Sequence, residues 1–163
     1  MNLNTLVIDN FLDSPDTVRQ SVLDLDFYQS GNFPGLRSDR ADIEYENYVQ
    51  KKIESLIGAN IKEWVQDSFR FQLCFEDADT WIHKDETDWA GILYLTPDAP
   101  VESGTGIYRK NADNWQLITS IGNIYNRLAL YNGRLYHRSI VPGFGNCVKT
   151  GRLTQVFFFN IED

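Results

Sequence analysis

Two histidines, His83 and His137, are the only imidazoles in this chain of 163 residues. Histidine is a common metal ligand and acid–base group near neutral pH. His83 belongs to the segment Trp81-Ile82-His83-Lys84-Asp85. Side chains two residues apart project to the same face of an extended chain. The imidazole of His83 and the carboxylate of Asp85 are therefore expected to converge on one ion.

His137 lies 54 residues after His83 and would have to reach this pair from another strand. Two histidines and one carboxylate occupy one face of an octahedron, leave positions open for ligands, and suit non-haem Fe(II). Taken singly, each histidine is more simply interpreted as a hydrogen-bonded structural residue, because one residue constrains a site weakly. The metal hypothesis therefore depends on all three residues meeting.

The last apolar segment, residues 151–160, contains a further charged group. Arg152, Thr154, Val156 and Phe158 share one face of a strand by alternation. If that face points inward, the guanidinium of Arg152 needs an anion, and a carboxylate fits its planar fork. Either a glutamate of the chain or a ligand could supply that carboxylate.

Several common sites are missing from the sequence, which has no G-x-S-x-G, Walker A or H-E-x-x-H motif. Gly104-Thr105-Gly106 is only a fragment of a dinucleotide-binding fingerprint. Cys74 and Cys147 form no C-x-x-C pair, so we expect reduced structural thiols rather than a disulfide framework or a cysteine zinc site.

The half of the chain that holds these residues has the pattern of a sheet. From residue 69 to 76, apolar and other residues alternate with a period of two, as in a half-buried strand. Short strand candidates follow at residues 80–83, 89–96, 104–109, 115–119, 127–131, 136–141 and 152–161. No helical pattern alternates with them, so the sequence favours a barrel or a double-sheet jelly roll over a parallel α/β fold.

The first third of the chain carries helical patterns. A strand is expected at residues 3–9, and Asp13-Ser14-Pro15-Asp16 then predicts a helix that runs to about Asp24. After a turn-rich stretch at residues 31–35, apolar residues recur at helical spacing from Tyr45 to Ile57, before Gly58. The two helices are expected to pack outside the sheet.

Composition limits the class of protein. A hydrophobic content of 42% and an aromatic content of 13% indicate a globular chain, and its length predicts one domain over residues 1–163. Residues 1–66 would be mostly helical support, and residues 67–163 would form the core sheet and the site. A net charge of −8 disfavours nucleic acid and anionic membranes as partners. With neither an apolar run of about 20 residues nor a basic leader, we expect a cytoplasmic protein.

The order His83-x-Asp85, His137, Arg152 resembles the signature of the 2-oxoglutarate/Fe(II)-dependent dioxygenases, in particular their prolyl 4-hydroxylase-like branch. Within that superfamily the chain is similar to the small oxygenases of bacteria and phages. The supporting segments are residues 81–85, 91–96, 104–108 and 127–131, and the resemblance covers about residues 70–161. Residues 9–12 and 33–37 are similar less specifically. The resemblance implies a double-stranded β-helix, the cupin-like jelly roll.

The same resemblance assigns roles to residues. It implies that His83, Asp85 and His137 hold Fe(II), and that Arg152 binds the distal carboxylate of 2-oxoglutarate, with Thr154 and Tyr94 as hydrogen-bond partners. The chain departs from the pattern in two places. Phe75 stands where many relatives carry tyrosine, and the 15 residues from His137 to Arg152 predict an enlarged loop around residues 142–146.

The implied activity is hydroxylation of a C–H bond with O2 and 2-oxoglutarate, releasing succinate and CO2. A peptide or a small molecule would be the substrate. One alternative is a cupin-like protein that binds a divalent metal without redox chemistry, for which a buried cation near the metal has no use. Another is a catalytically silent jelly-roll module, against which an intact metal triad argues. Residues 33–37 and Arg138 lie near the motifs, but surface or packing roles are the simpler interpretation for them.

Overall fold

The computed structural model describes residues 4–29 and 31–162. Within these ranges the helices are α1 (Pro15–Leu23) and α2 (Ile43–Ile57), with a 3-10 turn at Val101–Ser103. The strands are β1 (Thr5–Ile8), β2 (Leu36–Arg40), β3 (Ile61–Trp64), β4 (Arg70–Cys74), β5 (Trp89–Tyr94), β6 (Thr105–Asn111), β7 (Asn114–Ile121), β8 (Leu128–Asn132), β9 (Tyr136–Ser139) and β10 (Arg152–Ile161). Neither helix is long and apolar enough to cross a bilayer.

The strands form two antiparallel sheets. The large sheet has the order β1-β8-β5-β10-β4-β2, with β3 pairing the far end of β10, and the small sheet has the order β7-β6-β9. Strand β10 is central because it pairs with β5 on one side and with β4 and then β3 on the other. The predicted jelly roll with N-terminal helices is confirmed.

Local sequence explains where the helices begin and end. Helix α1 starts with Pro15, whose ring suits the first turn. The carboxylate of Asp42 caps α2 by accepting the backbone N–H of Tyr45 at 3.0 Å. Gly58 ends α2 in the left-handed region, with φ of 68°, where glycine carries no steric cost.

The main core lies between the helices and one face of the large sheet. Val22 of α1 and Val49 and Ile53 of α2 are fully buried there, against Leu93 and Phe157 of the sheet. Side chains of β5, β8 and β10 that point to the opposite face meet the small sheet instead, in two smaller clusters. The space that remains between the sheets is the cavity described below.

The structure differs from the prediction in three segments, at residues 80–83, β2 and β3. Residues 80–83 form no strand, and His83 makes only an isolated bridge with His137. Strands β2 and β3 were not predicted, because their polar sequences lack apolar alternation and their pairing with β4 and β10 is long-range. The first third therefore adds strands to the large sheet as well as helices. Leu3 of the predicted first strand lies outside the described residues.

Strand β4 also differs from its prediction, because it is buried on both faces rather than one. Leu73 packs in the main core, whereas Gln72 and Cys74 face the cavity. Alternation of apolar and polar residues correctly gives the strand, but a polar face need not be a solvent face when it lines an internal cavity.

Candidate functional site

Backbone pairing brings His83, Asp85 and His137 together. The backbone N–H of His83 donates to the carbonyl of His137 at 3.0 Å, and the N–H of His137 donates to the carbonyl of His83 at 2.8 Å. The N–H of Asp85 donates to the carbonyl of Gly133 at 2.8 Å, in the turn before β9. The segment that precedes β5 is thereby fixed against the small sheet, and the three side chains point into one place.

Hydrogen bonds at the far side of each ring set the tautomers of the two imidazoles. Nδ1 of His83 lies 3.0 Å from the carbonyl of Trp81, and Nδ1 of His137 lies 2.8 Å from the carbonyl of Leu135. A carbonyl only accepts, so each Nδ1 carries the proton and each Nε2 of a neutral ring presents a lone pair. This is the arrangement that orients metal-binding histidines.

Potential ligand atoms of His83, Asp85 and His137 lie within 4.8 Å of one another. Nε2 of His137 is 3.3 Å from Oδ2 of Asp85, yet that buried oxygen accepts no hydrogen bond from the described residues. Burial is the main cause that lowers the pKa of His83, which keeps this imidazole neutral at neutral pH. The lone pairs of these three ligand atoms repel one another at such short separations, and a bound cation would satisfy all three atoms. The residues therefore fit a divalent metal.

Arg152 lies in the same cavity, on β10, and is only 2% exposed. Its Nε donates to the carbonyl of Ser103 at 2.9 Å, whereas its buried Nη2 has no hydrogen-bond partner among the described residues. No described carboxylate lies within 4.0 Å of the guanidinium. The internal glutamate that the sequence left open is thus not found in the described chain, and the free edge of the fork fits the carboxylate of a ligand.

Tyr94 and Thr154 lie beside Arg152, in cross-strand register with each other. The guanidinium carbon of Arg152 is 5.8 Å from the ring centre of Tyr94. The Tyr94 hydroxyl is bonded to the Thr105 hydroxyl at 2.7 Å, and the Thr154 hydroxyl is 3.5 Å from the carbonyl of Gln72. Thr105 and Thr154 line the cavity. The roles of Tyr94 and Thr154 toward a cosubstrate stay predictions.

The cavity has a volume of about 670 Å³, within the range typical of small-molecule sites. Sequence reasoning missed two of its features. The sequence gives Thr105 no role beyond its place in Gly104-Thr105-Gly106. The available signal is Gly104, which marks a close backbone approach because a Cβ there would overlap the carbonyl of Ile121. Arg37, considered a surface or packing residue, lines the cavity and is buried.

The segment between β9 and β10 is the enlarged loop that the spacing of His137 and Arg152 predicts. It turns back onto β4, where the N–H of Phe144 donates to the carbonyl of Cys74 at 3.3 Å. Phe75 packs against the main core, so its missing hydroxyl leaves no gap at the cavity. Both cysteines are free thiols, and Cys147, in this loop, is exposed rather than structural.

No family model and no curated protein sequence matches this chain. Solved structures do share its fold. A prolyl hydroxylase from Trichoplax adhaerens, in complex with a hypoxia inducible factor oxygen degradation domain peptide fragment, aligns over 96% of this chain and 83% of its own with a TM-score of 0.61 and 15% identity. HygX from Streptomyces hygroscopicus, with nickel and 2-oxoglutarate bound, aligns over 96% and 82% with a TM-score of 0.68 and 10% identity.

A Pseudomonas putida prolyl-4-hydroxylase aligns over 98% of this chain and 94% of its own, with a TM-score of 0.56 and 14% identity. The chain therefore has the fold of the 2-oxoglutarate/Fe(II) oxygenases over nearly its whole described length, which confirms at the level of fold the resemblance seen in the sequence. Since one fold hosts unrelated functions, the function of this chain has to be argued from its own cavity.

Proposed function

We propose that this chain is a 2-oxoglutarate- and Fe(II)-dependent oxygenase that hydroxylates a C–H bond of a peptide or a small molecule. The observation that carries the proposal is a pair of unsatisfied buried atoms of opposite sign in one cavity. Among the residues that the structure describes, Oδ2 of Asp85 has no hydrogen-bond donor and Nη2 of Arg152 has no acceptor. Buried polar groups without partners are costly. A cation beside Asp85 and an anion beside Arg152 would satisfy both.

His83, Asp85 and His137 would hold the metal through two neutral imidazoles and one carboxylate, which leaves coordination positions open. Fe(II) in such a site supplies the activation of O2, driven by oxidation of 2-oxoglutarate to succinate and CO2. The hydrogen bonds from both Nδ1 atoms to backbone carbonyls fix the ring orientations before any ligand binds. The site is thus arranged in advance by backbone geometry.

Arg152 would bind the distal carboxylate of 2-oxoglutarate through its free edge, because its Nε is already held by Ser103. Thr154 shares the strand face and is a candidate second donor. Tyr94 would act there only if its hydroxyl exchanges its bond with Thr105. One carboxylate at Arg152 and the keto-acid end at the metal would hold the cosubstrate in a single orientation.

Apolar walls would keep water away from the reacting groups. Ile92, Val156 and Phe158 line the cavity from the large sheet. Water exclusion strengthens the interactions of the charged ligands and suppresses side reactions. A peptide substrate is consistent with the peptide bound by the Trichoplax relative, whereas the size of the cavity also admits a small molecule.

The second candidate function is binding of a divalent metal without redox chemistry. The metal cluster alone would suffice for it. It leaves unexplained why a strand buries Arg152 in the same cavity with an Nη2 that no described residue accepts from. Arg152 therefore favours the oxygenase.

Anaerobic titration of the metal-free full chain with Fe(II) and 2-oxoglutarate tests the proposal. We expect a visible metal-to-ligand charge-transfer band that saturates with both ligands. Arg152→Ala should weaken 2-oxoglutarate binding about tenfold or more, because a charge-assisted bidentate contact is lost, and should leave metal binding intact. Absence of the band in the folded chain at saturating ligand would overturn the oxygenase assignment. Metal binding retained without 2-oxoglutarate binding would support the second candidate.

A further inference from the structure

The cavity contains a second buried guanidinium, that of Arg37 on β2, which the proposed chemistry does not use. Arg37 is 7% exposed and lines the cavity. It pairs with Gln72 of β4, which pairs in turn with Thr154 of β10. Two strand spacings place its Cα about 10 Å from that of Thr154. Arg37 is thus on the same inner wall as the Arg152 strand, and β4 lies between the two strands.

Most of the donors of Arg37 have no partner among the described residues. Its Nε donates to Oε1 of Gln72 at 3.1 Å, and this is the hydrogen bond that orients the side chain. The ring centre of Phe33 lies 4.1 Å from the guanidinium carbon, and that of Phe158 lies 5.8 Å from it. Aromatic rings cover the faces of a guanidinium and leave its N–H bonds pointing outward in the plane. The free Nη edge therefore suits an in-plane acceptor.

Asp67 does not neutralise Arg37 fully. Its Oδ2 is 3.6 Å from Nη1 of Arg37, beyond a hydrogen bond, while its Oδ1 is 3.2 Å from Nε of Arg70. The Asp67 side chain is also 52% exposed, so solvent screens it. One exposed carboxylate is shared between two arginines. Burial lowers the pKa of Arg37, but a guanidinium starts so high that it stays charged at neutral pH.

The cavity as a whole is richer in positive charge than the protein around it. Its described lining contains three carboxylates, at Asp67, Asp85 and Glu86, and four cationic side chains. The cations are Arg37, Lys84, Arg138 and Arg152. The chain overall carries a net charge of −8. A metal ion and 2-oxoglutarate have opposite charges that cancel each other, so the excess positive charge is left for a third ligand.

We propose that Arg37 is the anchor for the substrate, and that the substrate carries a carboxylate that the free Nη edge of Arg37 binds. That the bound carboxylate belongs to a substrate rests on the proposed oxygenase function, whereas the anion site itself does not depend on it. Phe33 beside the guanidinium favours a carboxylate with apolar surface next to it. Arg37 would hold this group while Arg152 holds the cosubstrate.

Benzoate is a suitable test ligand because it combines a carboxylate with an apolar ring, and benzamide is its neutral isostere. Calorimetry on the folded full chain, with Zn(II) and saturating 2-oxoglutarate, should show benzoate binding and much weaker benzamide binding. Arg37→Gln should weaken benzoate binding about tenfold or more. Arg109→Gln, a matched change of an exposed arginine on β6, should leave it unchanged.

A second variant keeps the test valid if Arg37→Gln unfolds. Gln72→Glu places a carboxylate against Nε of Arg37 and should neutralise the anchor without removing it, so benzoate binding should again fall. Benzoate binding that survives Arg37→Gln in a folded chain would overturn the anchor. The anchor would also be overturned if 2-oxoglutarate displaced benzoate completely and only Arg152→Gln, not Arg37→Gln, abolished benzoate binding.

The two proposals fail separately. A chain that binds 2-oxoglutarate but shows no Arg37-dependent benzoate binding retains the oxygenase function and loses the anchor. A chain that binds benzoate through Arg37 but never binds 2-oxoglutarate retains the anion site and loses the oxygenase function.

Discussion

The ring nitrogen that faces away from the cluster decides what each histidine can do. Both Nδ1 atoms are held by backbone carbonyls two residues earlier in the chain, Trp81 for His83 and Leu135 for His137. The Nε2 atoms of the neutral rings are therefore left as lone-pair donors, next to an aspartate oxygen that accepts no hydrogen bond within the described part of the chain. Three acceptors without a shared proton suit a bound cation better than a catalytic hydrogen-bond chain, which supports the proposed metal site.

Asp85→Asn should abolish metal binding, although it only replaces one carboxylate oxygen by an amide nitrogen. For the parent chain, Zn(II) at about 100 times its Kd should raise the free energy of unfolding by about 2.7 kcal/mol. In Asp85→Asn this increase should largely vanish, because the anionic ligand is lost. Urea unfolding with and without Zn(II), using a chelator for the metal-free baseline, measures both values.

Asp113→Asn is the matched control, since Asp113 is exposed in the turn between β6 and β7. Its zinc-dependent stabilisation should equal that of the parent chain. If Asp85→Asn also kept the full effect of zinc, the ion would be bound elsewhere and the assignment of this aspartate would be wrong.

At the scale of elements, β10 positions two of the residues proposed to bind the cosubstrate. Its pairing with β4 and β5 places Arg152 and Thr154 on the inner face, and places Leu153 and Phe157 in the main core. Alternation along one strand therefore supplies both the proposed cosubstrate anchor and part of the hydrophobic core of the sheet. Strand β2 adds Arg37 to the same inner wall through its pairing with β4.

An ion pair beside the paired strands β1 and β8, at the edge of the large sheet, should lose its stabilising effect in acid. Arg127, before β8, donates from Nε and Nη2 to the two carboxylate oxygens of Asp9, after β1, at 2.7 and 3.0 Å. The hydrogen bond from Arg127 is the main cause that lowers the pKa of Asp9. A lowered carboxyl pKa stabilises the fold above the unfolded value of about 3.9, and that stabilisation is lost as the pH falls through the folded pKa.

Asp9→Asn should therefore reduce the free energy of unfolding at pH 7 by about 0.2–1 kcal/mol, a small value because the Asp9 side chain is 54% exposed. The difference from the parent chain should shrink toward zero below pH 3. Urea unfolding at the two pH values measures it. A difference that stayed constant from pH 7 to pH 3 would mean that the charge of Asp9 is not the cause.

For the whole molecule, the main apolar core and the cavity lie on opposite faces of the large sheet. The helices and one face form the main core, with Phe157 fully buried against Phe69 and Trp64 at centroid distances of 5.4 and 6.2 Å. The other face carries the polar and charged groups of the cavity. The layered jelly roll thus allows unsatisfied polar atoms in the site while the main core remains apolar.

Phe157→Ala should show this separation. Truncation of a fully buried phenylalanine is expected to lower the free energy of unfolding by about 3–5 kcal/mol. The Zn(II) affinity of the folded protein should stay unchanged, because Phe157 packs in the main core and not against the proposed metal ligands. Urea unfolding and competition with a chromophoric chelator give the two quantities. A parallel loss of zinc affinity would show that core and site are not independent. Phe157→Leu, a smaller truncation, should lower the free energy of unfolding by less than Phe157→Ala.

Local sequence determined the residue types of the site and most of its strands. The scarcity of histidine, the His83-x-Asp85 spacing and the alternation around Arg152 are local patterns, since strand faces follow from a period of two. The helix limits at Pro15 and Gly58 are equally local, because they depend on backbone conformations that these residues favour.

Tertiary structure alone decided which polar residues are buried. Leu36–Arg40 has a polar sequence, and only its pairing with β4 makes it a strand and carries Arg37 into the cavity. Likewise, His83 owes its position to a bridge with His137, 54 residues away, rather than to a strand of its own. A polar residue that lines a cavity has the same local pattern as one that faces solvent, because what differs is the distant chain that covers it.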